Sequence, residues 1–166
     1  MLGPGGVGKT RLAIESGTVV SETTDQPVVF CDLSSVRDES ELFVTVADSV
    51  GARLQPGMDL VDSIADFLRN RKLLLILDNC EQVSSEVGPL IEVLSGLEGV
   101  DVLATSRVAL RIPGERVLDV EPLSPEISGV DLFVSRAREH DSTFVLDDAD
   151  EPYVRCLLYT SDAADD

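Results

Sequence analysis

Basic residues are scarce in this chain: 13 Lys plus Arg stand against 31 Asp plus Glu, a formal charge of −18 over 166 residues. A surface of that sign repels nucleic acid and anionic lipid, so this stretch is not expected to contact DNA by itself. Cysteine is nearly as sparse. Cys31, Cys80 and Cys156 lie far apart with no CxxC or Cys/His spacing, which argues against a disulfide framework and a zinc site. His140 is the single histidine, so a His-based triad or a multi-His metal site has little support. No apolar run approaches the roughly 20 residues that cross a bilayer, and no basic segment followed by an apolar core opens the chain. The expectation is a soluble, cytoplasmic protein with reduced thiols, without membrane contact. Internal repeats and coiled-coil heptads are also missing.

What remains is enough for one core, with 43% of residues hydrophobic. Thr10 to about Val20 reads as a helix. Val28 to Leu33 is a short apolar run entered after Pro27 and left through Ser34-Ser35, as a buried parallel strand would be. Leu42, Val46 and Val50 recur every fourth residue in a helix over Glu39 to Val50, which Gly51 stops. Gln55-Pro56-Gly57 is a turn, and Asp59 to Asn70 places Leu60, Ile64 and Phe67 or Leu68 on one helical face. Leu73 to Leu77 is uninterrupted hydrocarbon ending in Asp78. Both its faces must be covered, which puts it inside a parallel sheet. Leu90, Ile91, Leu94 and Leu97 mark another helix, ended by Gly96 or Gly99. Val100 to Thr105 is a fourth strand, Arg116 to Val120 a weaker fifth, and Val130 to Glu139 a last helix. Strands alternating with helices of this length predict an α/β sandwich around a parallel sheet.

Gly3-Pro4-Gly5-Gly6-Val7-Gly8-Lys9-Thr10 satisfies GxxxxGK[ST] at every position. Glycines let the backbone curl so that successive N–H groups point at anionic oxygens, and the helix beginning near Lys9 adds its positive end. On this template the Lys9 ammonium reaches the β- and γ-phosphates and the Thr10 hydroxyl is a ligand to Mg²⁺. A random chain of this length would show the pattern on the order of 1% of the time, so a second part in the right context carries weight. That part is Asp78, a carboxylate at the carboxyl end of a buried strand, where ligands of open α/β sheets bind. It would hold Mg²⁺ opposite Thr10. Thr105-Ser106-Arg107 ends the fourth strand, from where a guanidinium could reach a γ-phosphate.

GPGGVGKTRLA, then LLLILDNCEQV, then VLATSR followed by LRIPGE and VEPLSPE, resembles the nucleotide-binding core of the STAND class of P-loop NTPases. More narrowly, it is similar to the NB-ARC-like ATPase module of bacterial transcriptional regulators, including those with LuxR-type helix-turn-helix or winged-helix regions. The resemblance covers Gly3 to about His140, a P-loop NTPase core over residues 1–140. It implies a three-layer sandwich and a switch in which ADP holds a closed state, while exchange for ATP promotes assembly and slow hydrolysis resets it. It further implies Gly3, Gly5, Gly6, Val7, Gly8, Lys9, Thr10 and Arg11 as the ATP/ADP-binding set. Thr10 and Asp78 would hold Mg²⁺, and Lys9, Asp78 and Arg107 would act on the phosphates, Arg107 as γ-phosphate sensor.

Two features depart from that pattern. Asn79 stands where an efficient hydrolase often has a second acid, and an amide cannot serve as a general base. This favours a switch over the alternative, a turnover AAA-type ATPase. Glu81 could substitute but reads first as a surface carboxylate. The GLPL-type motif of the following helical subdomain does not occur, and residues 141–155 form an acidic segment leading toward it. Asp147 to Glu151 has no calcium-loop spacing and reads as a solvated loop. No NKxD motif follows, which disfavours a GTPase. Cys80 reads as a packing residue.

Only Met1 and Leu2 precede Gly3, so the strand that should launch the loop is expected to be missing. Residues 156–166 change character, and their first ten letters resemble a translated transposase-type sequencing adapter. The expectation is a fragment that begins at an internal Met and finishes in adapter.

Overall fold

The computed structural model describes residues 1–53, 57–122 and 129–162. The expected turn at Gln55-Pro56-Gly57 and the VEPLSPE stretch lie largely outside the described residues. The chain divides into two compact units, Met1–Val120 and Glu121–Asp166. In the first, α1 (Lys9–Thr23), β1 (Val28–Asp32), α2 (Glu39–Val50), α3 (Leu60–Leu68), β2 (Leu73–Asp78), a 3₁₀ turn (Cys80–Val83), α4 (Ser84–Ser95) and β3 (Val100–Ala104) follow in order. The second contains α5 (Val130–His140) and α6 (Glu151–Asp162).

Strands β1, β2 and β3 pair in that order, all parallel, with Val29 opposite Leu75 and Leu75 opposite Val102. Every residue of β2 is buried, which explains why its sequence shows no polar alternation. Side chains still alternate by face. Leu73, Leu75 and Leu77 enter a large cluster with Leu42 and Val46 of α2, Ile64 and Leu68 of α3, and Leu90 and Leu94 of α4. Leu74 and Ile76 point the other way, toward Ala13 of α1. Helices thus cover both faces, in three layers. Burying each of these leucines contributes about 1.5–3 kcal/mol. Gly17 permits the close approach of α1: a Cβ there would come within 2.8 Å of Ile76 Cδ1.

Local signals set the helix ends. Asp38 accepts from the backbone N–H of Glu41 and Asp59 from that of Val61, at 2.9 Å each, as N-caps do. Gly51, at φ 77°, closes α2 in the left-handed region.

Beside β3 the structure corrects one expectation and sharpens another. Arg116 to Val120 is no regular strand; Asp119 forms one isolated parallel bridge, to Leu2, which also bridges Ser106. A two-residue partner can make no longer ladder. Leu2 accepts from Val120 N at 2.7 Å and donates to Leu118 O at 2.8 Å, while Ser106 N donates to Met1 O at 3.0 Å. The Met1 ammonium donates to Ala104 O at 2.6 Å. Past this ammonium a cavity of about 530 Å³ runs along β3, walled by Leu103, Ile91, Leu110, Ile112 and Val117. Met1 and Leu2 thus lie between β3 and the segment ending at Val120, and the cavity borders the free edge of β3 beyond them.

In the second unit, Phe133 of α5 meets Phe144 edge to face, with ring centroids 6.1 Å apart. The expected last helix is α5. Helix α6 had no counterpart in the sequence reading: the acidic run turns at Asp147, which accepts from the backbone N–H groups of Ala149 and Asp150 at 2.9 Å, and Glu151 then opens a helix. Pro152 in its first turn suits that start. The helix continues as one element across the boundary between residues 155 and 156. Among the described residues, no helix is long and apolar enough to cross a membrane.

Candidate phosphate site

The loop before α1 curls through two left-handed glycines, Gly6 at φ 74° and Gly8 at φ 90°. Side chains are strained in that region, so the motif needs glycine there. Gly8 caps α1, its carbonyl accepting from Leu12 N at 2.9 Å. Gly3 is fixed for a different reason: a Cβ would collide with the carbonyl oxygen of Val120. Lys9, the first residue of α1, is 9% exposed. Its ammonium donates to the carbonyls of Gly3 and Pro4, 2.8 Å to each. The cation is thus threaded back across the loop it is expected to serve.

Asp78 ends β2, 2% exposed. A carboxylate so buried requires partners, and it has three. Thr10 Oγ1 donates to both oxygens at 2.9 Å, Thr105 Oγ1 to Oδ1 at 2.5 Å, and Asn79 Nδ2 to Oδ2 at 3.1 Å. Asn79 sits at φ 63°, a conformation Asn tolerates better than most residues. Its backbone N–H donates to Thr105 Oγ1 at 3.1 Å, and its amide also reaches Asp32 Oδ1 at 3.2 Å. Asp32, at the end of β1, is held below the usual carboxylate range, first by the backbone N–H of Ser34 and then by the Ser34 hydroxyl and the Asn79 amide.

A hydroxyl facing a carboxylate supplies hard oxygen donors, the set that suits Mg²⁺. No group of three His, Cys, Asp or Glu among the described residues could enclose a metal by itself. An ion at Thr10 and Asp78 would therefore complete its shell with phosphate oxygens and water, as Mg²⁺ commonly does.

Arg107 lies against the loop. A Cβ on Gly5 would come within 3.1 Å of its guanidinium carbon. Arg107 Nε contacts Glu81 Oε1 at 3.2 Å. Glu81 is not the surface carboxylate expected from the sequence. The 3₁₀ turn after β2 brings its side chain to 15% exposure, with Oε2 buried and without a hydrogen-bond partner among the described residues. Cys80 beside it is fully buried, its thiol pushed up to about 12 by burial, with lesser pushes from Glu81 and Asp78. The packing role expected for it fits.

A cavity of about 430 Å³ has Gly5, Gly6, Gly8, Lys9, Thr10 and Arg11 on one side and Asn79, Glu81 and Arg107 on the other. Gly3, Val7 and Asp78 are not among its lining residues. Arg11 is exposed and pairs with Glu15 at 2.9 Å, so its own chain neighbour is its partner. Three contributors escaped the sequence reading: Thr105 as a donor to Asp78, Asn79 as a tie between carboxylates, and Asp32. Only a small hydroxyl residue following β3, beside an acid-ended strand, hinted at the first.

No protein-family model matches the chain. It is 31% identical over 147 residues to an uncharacterized protein of Mycobacterium tuberculosis, covering 88% of this chain and 37% of that one. It is 36% identical over 147 residues to a protein of the same organism named "Putative HTH-type transcriptional regulator", covering 88% and 16%. The chain therefore spans well under half the length of these relatives. Among solved structures, Cdc6p of Pyrobaculum aerophilum superposes with a TM-score of 0.68 at 17% identity over 83% of this chain and 42% of that one. Drosophila ORC bound to DNA gives 0.64 at 14% identity, over 98% and 50%. Such likeness establishes the fold, an α/β P-loop architecture around a parallel sheet.

Proposed function

We infer that this chain is an ATP/ADP-binding switch module of a signal-transducing transcriptional regulator, a STAND- or NB-ARC-like core with slow Mg²⁺-dependent hydrolysis and nucleotide-dependent self-association. One observation carries the reading: a buried lysine folded across a glycine loop, next to a threonine hydroxyl that donates to both oxygens of a buried aspartate. A structural lysine would be expected at a carboxylate. Here it is satisfied by two loop carbonyls that an incoming phosphate can replace. Lys9 would neutralise the β- and γ-phosphates, the loop N–H groups would cradle them, and Thr10 with Asp78 would hold Mg²⁺, which screens phosphate charge when bound. Arg107 would touch the terminal phosphate. The regulator assignment rests on the relative named as an HTH-type transcriptional regulator. The charge of −18 supports leaving DNA contact to other parts of such a protein.

Calorimetric titration with ATP and ADP, with and without Mg²⁺, tests the reading. Saturable binding that Lys9→Ala abolishes is expected; no heat from either nucleotide would end it. A turnover ATPase is the second reading, favoured by the Glu81 carboxylate in the cavity. Single-turnover hydrolysis separates the two, since a motor completes a cycle in seconds or less and a switch does not.

A further inference from the structure

Glu81 and Arg107 meet at the mouth of the phosphate-loop cavity, and their contact bears on which nucleotide is retained. Resting on the nucleotide-binding reading above, we propose that Glu81 sets the preference between nucleoside triphosphate and diphosphate, by holding Arg107 in an ion pair that a terminal phosphate has to displace.

The two partners are unequal. Glu81 is anchored in the 3₁₀ turn with its side chain 15% exposed, whereas the Arg107 side chain is 64% exposed. Arg107 is the member free to move. It already lies over Gly5, close enough that a methyl group there would press on the guanidinium. A diphosphate seated by the loop ends at its β-phosphate and leaves the pair intact. A triphosphate carries a further anionic group toward Arg107, which suits a guanidinium at least as well as a carboxylate does.

The exchange carries a cost that the diphosphate avoids. Glu81 Oε2 is buried without a partner among the described residues, and Oε1 has the Arg107 contact. When Arg107 leaves, a mostly buried carboxylate loses its counter-charge and faces a phosphate of like sign. The pair therefore subtracts from triphosphate affinity alone, which keeps the module from saturating with triphosphate.

The test is calorimetry on the full chain with Mg²⁺, using ADP and the non-hydrolysable β,γ-imido analogue of ATP. Glu81→Gln keeps the shape and removes the charge. It should tighten the triphosphate analogue about two- to fivefold, the range of a partly exposed ion pair, and leave ADP affinity unchanged. Arg107→Ala should weaken the analogue selectively, and Glu81→Gln should add less in that background, where only the repulsion between carboxylate and phosphate is left to relieve. Glu81→Asp, which withdraws the charge by one methylene, should act in the same direction as Glu81→Gln and serves if that variant does not fold. Equal tightening of both nucleotides, weaker analogue binding, or an undiminished effect without Arg107 would each overturn the proposal. So would lost single-turnover hydrolysis of ATP itself, measured beside the calorimetry, at unchanged affinity, which would make Glu81 the base of a turnover enzyme. Failure of the unaltered chain to bind either nucleotide would instead refute the underlying reading, and the proposal with it.

Discussion

Asp32 and Asp78 close adjacent parallel strands at the same level of the ladder, and the Asn79 amide donates to both, at 3.2 and 3.1 Å. Two carboxylates so placed repel each other unless something stands between them. The residue read from sequence as a deficient hydrolase acid is, in the fold, the donor that ties its two acidic neighbours together.

Asn79→Asp should therefore destabilise the chain by about 1–3 kcal/mol at neutral pH, because two donated hydrogen bonds become repulsions. The added carboxyl would titrate above its unfolded value, so its penalty is felt at high pH and fades as pH falls through the carboxylate range. Urea unfolding at two pH values measures this. Equal midpoints for parent and variant would contradict it.

Thr105→Val keeps the shape of a buried side chain, 1% exposed in the parent, but removes the donor to Asp78 and the acceptor for Asn79 N. A loss of about 1–3 kcal/mol is expected, together with weaker Mg²⁺-dependent nucleotide binding. Thr105→Ser, which keeps the hydroxyl, should recover most of both. If valine and serine behave alike, the hydroxyl has no such role.

Thiol reactivity should divide the cysteines. Cys156 is exposed, whereas Cys31 and Cys80 are buried, with thiols raised by burial, that of Cys80 to about 12. A charged maleimide should label Cys156 at once and the other two only on unfolding, as mass spectrometry would show. The raised values also fix a pH dependence. The unfolded thiols ionise near the ordinary value of 9.0 while the folded ones resist. Stability is whole below that value and declines as pH rises past it. Substituting Cys80 by Ala should flatten that alkaline decline.

The cavity along β3 predicts the effect of adding a strand. An extended apolar segment of about six residues, a usual strand length, joined ahead of Met1 should raise the thermal midpoint and the nucleotide affinity together. A Gly/Ser segment of equal length should raise neither. Burial lowers the Met1 ammonium below its ordinary 8.0. The unfolded chain therefore binds that proton more readily, and stability climbs as pH rises through the amine range. Converting the amine to an amide by extension should erase that slope. A slope that survives would place its source elsewhere.

Legibility followed what each signal encodes. The unbroken run Leu73 to Leu77 announced a strand covered on both faces, and the glycine spacing announced the loop, because burial and backbone curl leave marks in consecutive residues. Contacts between elements leave none. Nothing in the sequence pairs Thr105 with Asp78, since the register of β2 with β3 decides it. Glu81 reads as a surface residue because a residue after a strand is usually solvated; the tight 3₁₀ turn folds it back instead. Arg116 to Val120 shows strand composition yet, among the described residues, bridges only Leu2, since strand content needs an edge to pair with. Helix α6 was hidden by its acidic start, where Asp147 holds a turn through the backbone N–H groups of Ala149 and Asp150.

The sheet is insulated unequally. Three helices press on one side of it, while on the other α1 meets Leu74 and Ile76 chiefly through Ala13. The side with the smaller buried cluster is the one that carries the glycine loop, so a ligand held there would grip the more thinly packed layer. A ligand spanning Thr10 and Asp78 would act as a rivet through both layers. Its signature in deuterium exchange would be slowed amides along the length of α1, far beyond the atoms it touches.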